Sequence, residues 1–136
     1  MNFGTCEHCA HSFSYTIVHN GFNDSSFAYC DACGRAAILS AYHPKLRAFK
    51  FAPGPLPRQL EAWLLPCECG GNFRASASPR CPHCNRTLSA EWATTYIERN
   101  APGSAKGWRW QRNWEGLYSI IVESRSVHDP WDPTKL

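Results

Sequence analysis

The sequence predicts a small α+β protein built on two four-cysteine metal sites, with β-hairpins, one helix and a C-terminal antiparallel hairpin. Three observations predict it. Eight cysteines fall in four close pairs. Aromatic and β-branched runs alternate with turn residues, as short strands do. One stretch after Ser89 carries apolar residues at helical spacing. At 136 residues, two half-sized modules would each bury too little apolar surface to fold unaided, so the cysteines must supplement the core. Met1 to Thr5 contains no basic stretch and no apolar segment, so no secretory signal is expected there. No apolar run approaches the ~20 residues needed to span a bilayer. The expectation is a cytoplasmic protein with reduced thiols and no membrane partner.

Cys6-Glu7-His8-Cys9 is a short knuckle, and Phe13 to His19 reads as a strand. Asn20-Gly21 marks a turn, after which the chain returns through Phe27, Ala28 and Tyr29 into Cys30-Asp31-Ala32-Cys33-Gly34 and leaves through a strand at Ala36 to Leu39. Pro44, Pro53, Pro55 and Pro57 lie among Lys45, Arg47, Lys50 and Arg58, the composition of an ordered basic linker. A short helix is expected from Pro57 toward Leu65, with Leu60, Trp63 and Leu64 inward and Pro66 as its end.

Ser89 caps a second expected helix, with Trp92, Ala93, Tyr96 and Ile97 on one face and its end near Asn100. From Trp108 the period becomes two. Trp108, Trp110, Arg112 and Trp114 share one side of an extended segment, and Leu117 to Val122 is the strongest strand in the chain. These two segments form the predicted hairpin. The tail from His128 to Pro133 reads as irregular.

The cysteine spacing is C-x2-C-x20-C-x2-C followed by C-x-C-x11-C-x2-C. Four thiolates satisfy a tetrahedral zinc at ~2.3 Å per bond and leave no position for water or substrate, so such sites are structural. Two zinc ions are expected, one on Cys6, Cys9, Cys30 and Cys33, the other on Cys67, Cys69, Cys81 and Cys84. Gly70 and Gly71 supply the tight backbone that the one-residue gap requires. An interleaved arrangement, with the first knuckle sharing a metal with the third, is disfavoured because 33 residues separate Cys33 from Cys67.

The knuckles Cys6-x-x-Cys9, Cys30-x-x-Cys33-Gly34 and Cys81-Pro82-His83-Cys84, with the shortened Cys67-Glu68-Cys69-Gly70-Gly71, resemble those of zinc-ribbon proteins with rubredoxin-like knuckles. The resemblance covers about a third of the chain and implies a mode of metal binding; members of that group bind nucleic acid, bridge subunits or staple enzymes. On this reading residues 1–42 form an N-terminal zinc ribbon, 43–66 a Pro-rich basic linker with a short helix, and 67–136 a second ribbon with the helix and hairpin.

The formal charge of +3 counts cysteine as neutral. Each zinc on four thiolates adds −2, which brings the total to about −1 and weakens any case for nucleic acid from charge alone. No open metal site, phosphate loop or paired carboxylates suggests an enzyme, and four knuckles argue against a redox CxxC. Non-catalytic binding of another protein is the expected function. Trp108, Arg109, Arg112 and Trp114 are the candidate partner-binding residues. The same aromatics interleaved with arginine could instead stack single-stranded nucleic acid, which is the alternative function, or fill the core of a strand. A zinc-stapled enzyme ranks third.

Overall fold

Strand β3, Ser25–Cys30, is buried along its whole length, and the alternation of its side chains organises everything around it. A computed structural model describes residues 2–20, 24–40, 43, 54–89, 99 and 118–135. Phe27 and Tyr29 of β3 face one way and Ala28 and Cys30 the other, as the period of two requires. Strand β4, Ala36–Ser40, pairs antiparallel with β3, setting Phe27 opposite Ile38 and Ala28 opposite Ala37. Two hydrophobic cores result, one on each face of this sheet.

A second sheet covers the first core. Its order is β1 (Asn2–Thr5), β2 (Ser12–His19), β7 (Tyr118–Val122), all antiparallel. Phe13 and Tyr15 of β2 and Ile120 and Val122 of β7 pack there against Phe27 and Tyr29. On the other face lies the 3₁₀-helical turn Arg58–Trp63, whose Leu60 joins Leu56, Leu64, Phe73 and Trp131. Pro57 presets the entry to this turn, with φ −56°. Leu65, which precedes Pro66, is biased away from helical backbone, and Leu64 is already extended. Three short strands complete the central sheet: β5 (Gly54–Pro55) and β6 (Phe73–Arg74) pair with β3, and β8 (Ser126–His128) runs parallel to β4.

The fold is therefore small α+β, with eight strands in two sheets and one short helix among the described residues. Strands stand where expected at 13–19, 36–39 and 118–122, the returning chain at 27–29 falls within β3, and the short helix after Pro57 is present. One expected connection is absent. Asn20-Gly21 was to fold β2 back on β3, but the neighbours of β2 are β1 and β7, so β3 has no free edge of β2 to pair with. The tail is also more ordered than its composition suggests. Glu123 and Ser124 take positive φ, 49° and 58°, and turn the chain from one sheet into β8 of the other. Beyond it Trp131 bridges to Leu64, Leu65 N–H donates to Pro130 O at 2.8 Å and Asp132 N–H to Trp63 O at 2.9 Å. The helix expected at 89–100, save Ser89 and Arg99, and the hairpin partner expected at 108–114 lie outside the described residues.

Candidate metal centres

Each cysteine pair sits on a turn of the same design. In the first, Cys6 N–H donates to His11 O at 2.9 Å and Ala10 N–H to Cys6 O at 3.0 Å; the second repeats this with Cys30, Arg35 and Gly34 at 2.9 and 3.0 Å, the fourth with Cys81, Arg86 and Asn85 at 2.9 and 3.0 Å. The residue four beyond the leading cysteine takes positive φ in all three: Ala10 64°, Gly34 77° and Asn85 61°. Gly and Asn accept that backbone readily, and alanine does so at a cost. In the shortened third turn the pattern contracts by one residue, with Cys67 N–H donating to Gly71 O at 2.8 Å, Gly70 N–H to Cys67 O at 2.9 Å, and Gly70 at φ 98°. Backbone N–H groups of His8, Ala32, Gly71 and His83 point at Sγ of Cys6, Cys30, Cys69 and Cys81, at 3.3 to 3.4 Å. Such donors favour thiolate over thiol.

The four turns meet in two groups. Cys6, Cys9, Cys81 and Cys84 form one, and Cys30, Cys33, Cys67 and Cys69 the other, with all four sulfurs of each group within 4.8 Å of one another. These are termed the outer and inner groups, since the second is nested within the first along the chain. All eight cysteines are free thiols. Sulfurs at 2.3 Å from a central tetrahedral ion stand about 3.8 Å apart. The separations of 3.7 Å (Cys6 to Cys84), 3.7 Å (Cys9 to Cys81), 3.4 Å (Cys30 to Cys69) and 3.6 Å (Cys33 to Cys67) fit such an ion with little movement.

The eight expected ligands are thus the ones brought together, but the sequential pairing is corrected. Cys6 and Cys9 meet the fourth turn and not the second, and Cys67 and Cys69 meet the second and not the fourth. The reason lies in the sheets: because β2 is flanked by β1 and β7, no β2–β3 hairpin carries the second turn back to the first. Segments 1–42 and 67–136 each supply half of each group, so neither holds a complete site by itself.

The inner group is the more exposed, through Cys69. Burial pushes the Cys30 thiol up to about 12, and the adjoining Cys69 and Cys33 thiols add to the rise. Cys69 is instead held at about 7, chiefly by the Gly71 N–H that donates to its sulfur. Four crowded thiols cannot all ionise alone, and a divalent cation displaces their protons. Gly71 is required here: a Cβ at this position would lie 2.7 Å from Cys30 Sγ and 2.7 Å from Ala32 Cβ.

Several contacts around the sulfurs are not legible in the cysteine pattern. His11 Nδ1 lies 3.4 Å from Cys9 Sγ, and its ring stacks on His83 at 4.4 Å. Glu7 accepts hydrogen bonds from Ser89 N–H at 2.8 Å and Ser89 Oγ at 2.6 Å, tying the first turn to the segment that follows the fourth. Asp31 and Asn72 exchange hydrogen bonds at 2.9 Å between the second and third turns. Beside the inner group a cleft of about 330 Å³ is lined by Leu65, Pro66, Cys67, Phe73, Val127 and others. The candidate partner-binding residues Trp108, Arg109, Arg112 and Trp114 lie outside the described residues.

No helix among the described residues is long and apolar enough to cross a membrane. In comparison with known proteins, a family described as a domain of unknown function (DUF8255) matches residues 3–90, a span that includes all eight cysteines. No curated protein and no solved structure matches the chain.

Proposed function

The chain belongs to the family described as a domain of unknown function (DUF8255), and from that premise we propose that it is a non-catalytic protein, closed by two structural zinc ions, that binds another protein in the cytoplasm. The observation that carries this reading is the pair of four-sulfur groups with near-tetrahedral spacing. Soft thiolates in this geometry select zinc, with iron the other metal of comparable fit. Four protein ligands leave the ion no vacant position, so it holds the chain together and does not act on a substrate. Eight reduced thiols suit a reducing compartment.

Support for a protein partner comes from the surface beside the inner group. Leu65, 41% exposed, is one of two large exposed hydrophobics among the described residues, with Phe3, and it lines the cleft next to Cys67. A cleft lined by Leu65, Phe73 and Val127 together with Arg35, Glu68 and Asp129 offers an apolar side chain of a partner both contact and polar groups beside it.

The test is metal analysis of the full chain purified without chelator, joined to affinity co-purification from its host. Two zinc ions per chain and a captured protein are expected. Iron in place of zinc, or no metal, would overturn the metal assignment. Binding to single-stranded DNA that weakens steeply with salt would replace the protein partner with nucleic acid.

A further inference from the structure

We propose that the two groups fill with metal cooperatively and in order, the inner before the outer. The inference rests on the two-zinc reading and concerns how the sites are coupled. Two independent features of the structure support it.

The first is topology. Cys33 and Cys67 of the inner group are 34 positions apart, whereas Cys9 and Cys81 of the outer group are 72 apart. Loop closure disfavours the longer loop by the three-halves power of the length ratio, about threefold. Once the inner group is closed, the path from Cys9 to Cys81 runs from Cys9 to Cys30, across the metal, and from Cys69 to Cys81. It is then about as short as the inner loop, so the penalty on the outer group is removed.

The second is a direct grip of the fourth turn on the second. Asn85 Nδ2 donates to Ala32 O at 2.9 Å and Arg80 Nη2 to Asp31 O at 3.0 Å. Arg80 Nη1 donates to the backbone carbonyl of Asn85 at 2.7 Å, which braces the Arg80 side chain against the turn that carries Asn85. The turns are so close that a Cβ on Gly34 would lie 2.4 Å from Arg80 N. Asp31 and Ala32 lie between two ligands of the inner metal, and Asn85 follows a ligand of the outer one. An ion that orders either turn therefore presents a formed surface to the other, and the coupling is reciprocal.

The experiment is titration of the reduced, metal-free full chain with zinc, followed by native mass spectrometry. At one equivalent, two equal and independent sites would leave half the chains with a single ion, and unequal independent sites would leave more. Well under half is expected. In the one-ion species, alkylation should modify Cys6, Cys9, Cys81 and Cys84 ahead of the inner cysteines. A single-ion share of half or more, or protection of the outer cysteines first, would overturn the proposal. Asn85→Gly keeps the positive-φ backbone while removing the donor, and combined with Arg80→Ala it should raise the single-ion share toward half, with two ions still bound at saturation. An unchanged share in that variant would dismiss the grip as the coupling. Fewer than two ions at saturation in the parent chain would overturn the two-zinc reading itself, and this inference with it.

Discussion

The phenol oxygen of Tyr29 on β3 accepts a hydrogen bond from the backbone N–H of Ile120 on β7 at 2.9 Å, between two residues with no exposed surface. Ile120 stands opposite Ile17 in the ladder, and its N–H points away from β2 toward the outer edge of the sheet. Left alone, that buried donor would be unsatisfied. Tyr29 thus seals one sheet with a side chain from the other. Around it, Ser119 also hydrogen-bonds the phenol, Asn20 Nδ2 donates to Ser119 Oγ at 3.3 Å, and Ser25 Oγ donates to Asn20 Oδ1 at 2.8 Å.

Tyr29→Phe is expected to cost ~1–3 kcal/mol, because it orphans a buried N–H without changing the packing. Burial holds the phenol well above its ordinary range. With the folded value raised, the stabilisation is complete below the unfolded pKa and is lost as pH rises beyond about 10. Denaturant melts of both proteins at neutral and alkaline pH check this. The parent should lose more stability than Tyr29→Phe on the alkaline side, and parallel losses would remove Tyr29 from the account.

Ala10→Gly should stabilise the protein by ~0.5–1 kcal/mol, since alanine is held at φ 64° where glycine is unstrained. Thermal melts of the metal-loaded protein would read this as a higher midpoint. A lower midpoint would mean that the turn tolerates alanine without strain.

Gly71→Ala should weaken the inner group directly and, through it, the outer. The new Cβ would have to displace Cys30 Sγ and Ala32, and both belong to the same turn. Competition against a zinc chelator should release zinc at a lower chelator concentration than in the parent, with the outer ion following the inner. Release at the parent's chelator concentration would contradict the geometry.

Chains split after residue 50 and co-expressed as two pieces should co-purify with two ions, because each group takes two ligands from either side of the break. Sequential pairing would instead give two separable pieces with one ion each. Chelator should then part the nested complex.

Trp131→Ala should cost ~3–5 kcal/mol. Its ring is buried in the second core and stacks on His43 at 4.4 Å. Urea unfolding measures the loss, and a change below 1 kcal/mol would show that the tail is an accessory to the core and not a part of it.

The sequence alone determined the candidate metal ligands and the local elements of this protein. Four pairs of cysteines at gaps of one or two residues identify the ligands because two sulfurs so spaced turn toward one ion on a single tight turn, and that is a local property of the backbone. The strands at Phe13 to His19 and Tyr118 to Val122, and the short helix after Pro57, were legible for the same reason, since propensity and period act over a few residues. Which turns come together around one group of sulfurs was decided only by the tertiary structure. It depends on β7, a hundred residues along the chain, taking the edge of β2 that a β2–β3 hairpin would have used, and no local pattern in β2 or β3 records which strand arrives there. The burial of Trp131 belongs with that: Asp129, Pro130 and Asp132 give its surroundings the composition of a loop, and only the open face of the central sheet, covered by the helical turn and Leu64, turns it into core.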